Sequence, residues 1–196
     1  LVWLLNVFNF MDGIDGLAAS GTLLISWIPA TIILYQGGNF ENILLLYLLG
    51  LLCFGFLFFN FPKATVHMGD SGSLFLGYII SALSVKTILE GDLSLFVWLI
   101  IGSYFLTDTT MTTIYRIFKV NKWYGAHRSH AYQNLAYLWK SHLKVTSGIV
   151  LFHLFWLLPL SFLSVLKPEL SIAFLFLAVI PVFVLNLLYG PNFSED

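Results

Sequence analysis

The sequence predicts an all-α, polytopic integral membrane bundle of about six full transmembrane helices, preceded by a partial one at the N-terminus. Three observations predict it: the composition, the lengths of the charge-free windows, and polar clusters that fall between those windows. Of the 196 residues, 59% are hydrophobic and 10% charged, against about 45–50% and about 25% in an average soluble domain. Nineteen Phe and six Trp push in the same direction. Such a chain has too little polar surface to cover a water-soluble globule, and its hydrophobicity excludes intrinsic disorder. The net charge of −1 argues against nucleic acid held by bulk electrostatics. A single cysteine, Cys53, allows no internal disulfide and no cysteine zinc cluster, and reads as a small apolar residue in a span.

Residues 16–40, 42–62, 71–85, 93–107, 145–166 and 170–194 carry no Asp, Glu, Lys or Arg. A bilayer-crossing helix needs roughly 20 apolar residues. Four windows qualify outright. The window 71–85 qualifies if Lys86 snorkels and the helix runs to Leu89, and 93–107 qualifies if it continues through Asp108 towards Ile117. The expected spans are 17–36, 43–60, 72–89, 94–116, 146–166 and 170–189, after a partial one at 1–10. Apolar sequence starts at Leu1 with no basic leader region. Residues 1–196 therefore read as a single membrane domain, the C-terminal part of a longer protein.

The connections at Gly37-Gly38-Asn39, Glu90-Gly91-Asp92 and Lys167-Pro168-Glu169 are short and polar and share one side. The other side carries 61–71 and the long loop 117–145. Seven of the nine Lys and Arg lie there or at its edge: Lys63, Arg116, Lys119, Lys122, Arg128, Lys140 and Lys144. The positive-inside rule makes that side cytoplasmic.

Three polar clusters fall on that face. The first is Asn6-Val-Phe-Asn9-Phe-Met-Asp12-Gly-Ile-Asp15-Gly16. Polar residues three apart are neighbours on a helix, and Gly13 and Gly16 mark a break or turn. An aspartate capping the next helix would explain one Asp, but not two Asn inside an apolar helix, and polar groups at membrane depth are usually functional. The second is Asn60-Phe-Pro62-Lys63-Ala-Thr-Val-His67-Met-Gly69-Asp70-Ser71-Gly72-Ser73. It puts Asp70 at a helix N-terminus, where N–H groups favour anions. Asp70 could cap that helix, or hold a metal beside a phosphate. The third is His127-Arg128-Ser129-His130-Ala-Tyr132-Gln133, in the loop with Lys122, Trp123 and Tyr124. Two His without a nearby third His or Cys make zinc a poor fit. Arg forks onto phosphate oxygens, His donates to them and a ring stacks on a base, so the mixture suits a nucleoside diphosphate. Asp108 stands apart inside a span, as a functional group or one relieved by Arg116.

Two carboxylates about 4 Å apart repel by roughly 4 kcal/mol at an effective dielectric near 20. If Asp12, Asp15 and Asp70 share a pocket, a proton or a cation must relieve that. All-oxygen ligands beside phosphate-binding side chains point to Mg²⁺ or Mn²⁺, hence to a phosphoryl-transfer site at a membrane surface.

The three clusters together resemble the polyprenyl-phosphate N-acetylhexosamine-1-phosphate transferases, glycosyltransferase family 4. The matches are Asn6-x-x-Asn9-x-x-Asp12-Gly-x-Asp15-Gly-Leu-Ala18, Phe59-Asn60-x-Pro62-x-Ala64-x-x-x-Met68-Gly69-Asp70-Ser71-Gly72-Ser73, and His127-Arg128-Ser129-His130. The resemblance implies transfer of a sugar-1-phosphate from a UDP-N-acetylhexosamine to undecaprenyl phosphate, giving polyprenyl-diphospho-sugar and UMP, with Mg²⁺. By motif, Asp12, Asp15 and Asp70 look like catalytic groups, with Asp70 and Asp12 on the metal. Asn6, Asn9, Asn60, His127, Arg128 and His130 look like substrate-binding groups. The His-Arg-x-His-x-Tyr-Gln form resembles the O-antigen-initiating branch more than the phospho-MurNAc-pentapeptide translocase branch, which carries a run of histidines there.

The family's acidic pair on an earlier cytoplasmic loop has no counterpart in this chain. The expectation is that it belongs to preceding helices and that residues 1–196 alone have no transferase activity. The resemblance also implies a multi-pass protein of the bacterial inner membrane with its site on the cytoplasmic face, and leaves a homodimer open. An ion-coupled transporter is the rival from another class, since broken helices with polar residues at depth are a transporter feature. Transporter sites, however, lie near the midplane and often accompany internal repeats, and none is seen here.

Overall fold

The computed structural model describes residues 2–119, 125 and 127–192. They fold as helices α1 (Val2–Phe10), α2 (Leu17–Gln36), α3 (Phe40–Asn60), α4 (Gly69–Leu89), α5 (Leu95–Ile101), α6 (Ser103–Lys119), α7 (Ala131–Trp139), α8 (His142–Phe152), α9 (Leu158–Leu166) and α10 (Ser171–Tyr189). A π-helical turn, His153–Leu157, joins α8 to α9 in one continuous rod. Pro159, which has no amide hydrogen to give the preceding turn, stands two residues after the end of this wider turn. There is no strand among the described residues.

Among the described residues, five rods are long and apolar enough to cross a membrane: Leu17–Gln36, Phe40–Asn60, Gly69–Leu89, His142–Leu166 and Pro168–Tyr189. The sixth expected span, 94–116, is broken. α5 and α6 meet at Gly102 with a bend of 72°, so the expected single helix is two pieces at an angle. The chain is a multi-pass, all-helical membrane protein.

Burial is uneven in the way a bilayer requires. α2 is the inner helix, with Ile25, Ile28, Ile32 and Ile33 nearly inaccessible. α3 and α10 turn large apolar side chains outward, such as Leu52, Phe58, Phe176 and Leu188, which is the stable arrangement when the surroundings are hydrocarbon. Close helix contacts use small residues, as expected where lipid removes the hydrophobic drive for helix association. A Cβ at Gly77 of α4 would lie 2.8 Å from Leu4 O and Leu5 Cα of α1. The missing side chain lets α1 and α4 touch backbone to backbone.

One end of the bundle is closed by a polar clip. The side-chain amide of Asn42, fully buried, donates to Glu90 Oε2 and Asp92 Oδ2, both at 2.6 Å, and its oxygen accepts from Lys86 Nζ at 2.8 Å. Asn39 caps α3 by accepting from Glu41 N at 2.9 Å, and its backbone N–H donates to Asp92 Oδ1 at 3.0 Å. The Lys86 ammonium, 2.8 Å away, holds the Glu90 carboxyl below its ordinary range, helped by Asn42. The clip ties the α2–α3 turn to the α4–α5 turn. The opposite end, where α1, α3 and α6 finish and α2, α4 and α8 start, carries all three polar clusters.

Candidate active site at the open end of the bundle

Because α1 lies directly on α4, the last turn of α1 meets the first turn of α4. Asn9 Nδ2 donates to Asp70 Oδ1 and to Ser73 Oγ, each at 3.1 Å. Asp12, in the bend after α1, accepts from the Gly69 N–H and lies near Asp70 and His67. Burial pushes its carboxyl up from 3.8 to about 6; Asp70 adds to the rise, while Gly69 and His67 oppose it. Asn9, Asp12 and Asp70, from the first two clusters, therefore form one group.

Asp15 turns elsewhere. The cap of α2 is Gly16, with no side-chain hydrogen bond. The Asp15 carboxylate instead sits 3.2 Å from His142 Nδ1 at the start of α8, and its carbonyl accepts from Thr146 Oγ1 at 2.8 Å. A cavity of about 670 Å³ opens beside the pair, lined by Asp15, Pro62, Tyr137, Lys140, Ser141 and His142. His142 carries no site signal in the sequence, because the two partners are 127 positions apart and follow no motif spacing.

Asn60 and Asn6 are spent on backbone. Buried Asn60 accepts from Gly16 N at 2.9 Å and donates to Val66 O at 2.9 Å, locking the α3–α4 connection to the start of α2. Asn6 Nδ2 donates to Val2 O one turn back at 3.1 Å.

The third cluster docks on the first. Tyr132 Oη donates to Phe10 O at 2.6 Å and accepts from the Gly13 N–H and from Gln133. These contacts explain Gly13: a Cβ there would stand 2.2 Å from the Tyr132 hydroxyl and 2.7 Å from Gln133 Nε2. The His127 and His130 rings stack with centroids 5.1 Å apart, and Phe10 lies tilted against both. Burial, then His130 and Arg116, lowers His127 to about 4, so its imidazole is neutral at pH 7. Its Nδ1 meets Ser129 Oγ at 2.9 Å. Arg128 is exposed at the rim. Arg116 Nη2 donates to Gly125 O at 3.2 Å, while Asp108 is buried against the start of α7. Lys122, Trp123 and Tyr124 lie outside the described residues.

Among the described residues no group of three or more His, Cys, Asp or Glu gathers as a metal cage. The set at α1–α4 is two carboxylates with the neutral oxygens of Asn9 and Ser73. That fits Mg²⁺, which keeps several waters and takes one or two carboxylates plus substrate phosphates.

Residues 1–88 match the family model described as glycosyl transferase family 4. Over 144 residues the chain is 35% identical to a probable undecaprenyl-phosphate N-acetylglucosaminyl 1-phosphate transferase of Bacillus subtilis, covering 72% of this chain and 40% of that protein. It is 39% identical over 105 residues to a phospho-N-acetylmuramoyl-pentapeptide-transferase of Streptococcus pyogenes, covering 54% and 30%. A third relative, the phospho-N-acetylmuramoyl-pentapeptide-transferase of Desulfitobacterium hafniense, is 37% identical over 128 residues, covering 60% and 36%. The chain thus spans about 30–40% of the length of these relatives. No solved structure matches. The family model falls on the residues that bring Asn9, Asp12 and Asp70 together, and the Bacillus subtilis relative extends the likeness over 72% of the chain; taken together, these matches show that the chain belongs to glycosyl transferase family 4.

Proposed function

We propose that the protein transfers an N-acetylhexosamine-1-phosphate from a UDP-sugar to undecaprenyl phosphate at the inner face of a bacterial plasma membrane, beginning a cell-envelope polysaccharide of the O-antigen type. The observation that carries this reading is the meeting of Asn9, Asp12 and Asp70 at the same end of the bundle as the His127–His130 segment, in a chain of this family.

In this reading Asp70 and Asp12 hold Mg²⁺, and Asn9 fixes Asp70 through its amide. The bound ion supplies charge neutralisation for the diphosphate. His127, His130 and Arg128 offer donors to phosphate and sugar oxygens, with neutral His127 contributing one hydrogen rather than a charge. The lipid phosphate oxygen bonds to the β-phosphorus, the bond from that phosphorus to the bridging oxygen breaks, and UMP leaves. Catalysis of this kind is mostly positioning and charge neutralisation.

The test is UMP release by the intact purified protein given undecaprenyl phosphate, Mg²⁺ and a panel of UDP-N-acetylhexosamines. Turnover of a simple UDP-N-acetylhexosamine is expected. Turnover confined to UDP-MurNAc-pentapeptide would move the protein to the branch of the streptococcal relative. Absence of UMP with every donor would overturn the transferase reading.

A further inference from the structure

Asp108 of α6 is fully buried, and the transfer chemistry above does not use it. Its Oδ1 accepts from the backbone N–H of Ala131 at 3.2 Å and from Thr112 Oγ1 at 3.4 Å. The same oxygen faces His130 Nδ1 at 3.6 Å. Two atoms of this group lack a hydrogen-bond partner: Asp108 Oδ2 and His130 Nδ1. His130 is itself only 2% exposed. It is packed between His127, Tyr132 and Phe10. Holding the first turn of α7 would need only a neutral acceptor. A carboxylate in this setting costs desolvation that an amide would not. What the charge adds is a direction for the imidazole. A neutral histidine whose Nδ1 faces a carboxylate carries its hydrogen there, which leaves Nε2 as the acceptor. The gap is just beyond hydrogen-bond range, so closing it by a few tenths of an ångström gives the orphaned His130 Nδ1 its partner on the carboxylate.

We propose that Asp108 is a positioning residue for the transfer: its carboxylate fixes the orientation and tautomer of His130, and through the stacked rings it sets the His127–His130 face towards the diphosphate. This rests on the transferase reading for its consequence, and on the Asp108–His130 contact for its geometry. Asp108 touches no substrate. It acts through His130, from one turn of α6 to the arm that docks on Phe10 and Gly13.

Asp108→Asn retains the oxygen that accepts from Ala131 and Thr112 and removes the charge that faces His130. In the intact protein, assayed by UMP release with UDP-N-acetylhexosamine and undecaprenyl phosphate, it should lower kcat roughly 10–100-fold, the scale for groups that orient an imidazole. Tm should stay close to that of the unaltered protein. His130→Gln should be comparably slow, and the double variant Asp108→Asn/His130→Gln no slower than His130→Gln alone. Unchanged kcat in Asp108→Asn, or fully multiplicative losses in the double variant, would overturn the proposal. Should Asp108→Asn fail to fold, ring ¹⁵N spectra of the unaltered protein decide the matter, with the His130 signal assigned by its loss in His130→Gln. The Nδ1–H form is expected, and an Nε2–H form would overturn it. If the unaltered protein releases no UMP from any donor, the transferase reading fails, while the ring spectra still judge the Asp108–His130 contact.

Discussion

Asp12 shows how burial prepares a single side chain. Its carboxyl, raised to about 6 in the fold from an ordinary 3.8, holds a proton between those values that the unfolded chain has lost. Its contribution to stability is therefore greatest below about pH 4 and declines as pH rises through about 6. A cation between Asp12 and Asp70 reverses the preference by displacing that proton. Mg²⁺ should lower the Asp12 titration, followed by carboxyl ¹³C shifts, and the Mg²⁺ concentration needed for half-maximal UMP release should climb as pH falls below about 6. A flat requirement between pH 5 and 7 would remove Asp12 from the metal. Asp70→Asn should abolish Mg²⁺-dependent turnover without lowering Tm, and near-normal turnover at ordinary Mg²⁺ would reject Asp70 as a ligand. The Asn-Asp-Asp spacing of the first cluster and the Gly-Asp-Ser of the second were legible in the sequence as polar groups at membrane depth. The destination of Asp15 was not, because the helix that brings His142 to it is encoded 127 residues later.

Contacts between elements depend on absent side chains and on satisfied amides. Gly13→Ala forces a carbon against the Tyr132 hydroxyl, which is held at both ends by Phe10 O and the Gly13 N–H. It should cost about 1–3 kcal/mol as an overpacked site and release the α7 arm to protease, as read by thermal unfolding and limited proteolysis. At the other end, Asn42→Leu leaves Lys86, Glu90 and Asp92 without their common partner. A loss of roughly 1.5–3 kcal/mol is expected for a hydrogen bond to charged groups, with turnover unaltered at temperatures well below Tm, because the clip is remote from the site. The charge-free windows located the span-forming rods within a few residues. They did not show the 72° bend at Gly102. The window 93–107 is merely short, and a glycine there reads equally well as part of a continuous helix.

Across the whole molecule, the two ends differ in charge and in chemistry. One carries the acidic–asparagine clip, and the other the basic loop and the candidate site. If the positive-inside rule holds, Lys167→Cys should react with a membrane-impermeant maleimide on intact cells, while Lys63→Cys reacts only after the membrane is opened. Both positions are exposed, and the native Cys53 is buried. Labelling with the reverse sidedness would place the site on the outer face and remove access to a cytoplasmic nucleotide sugar.

Absence of charge and recurrence of polar residues are enough to give the class of the molecule, the bounds of its five unbroken rods and the end at which its polar clusters gather. Which polar groups meet depends on the packing of the helices. Asn9 reaches Asp70 because α1 lies on α4 at Gly77, and Asp15 turns to His142. Asn60 is consumed by backbone, and Asp108 faces His130. In a bilayer, hydrocarbon is indifferent to how apolar helices pair. Pairing is therefore settled by close backbone approach and by polar groups finding partners far along the chain, information that no local spacing contains.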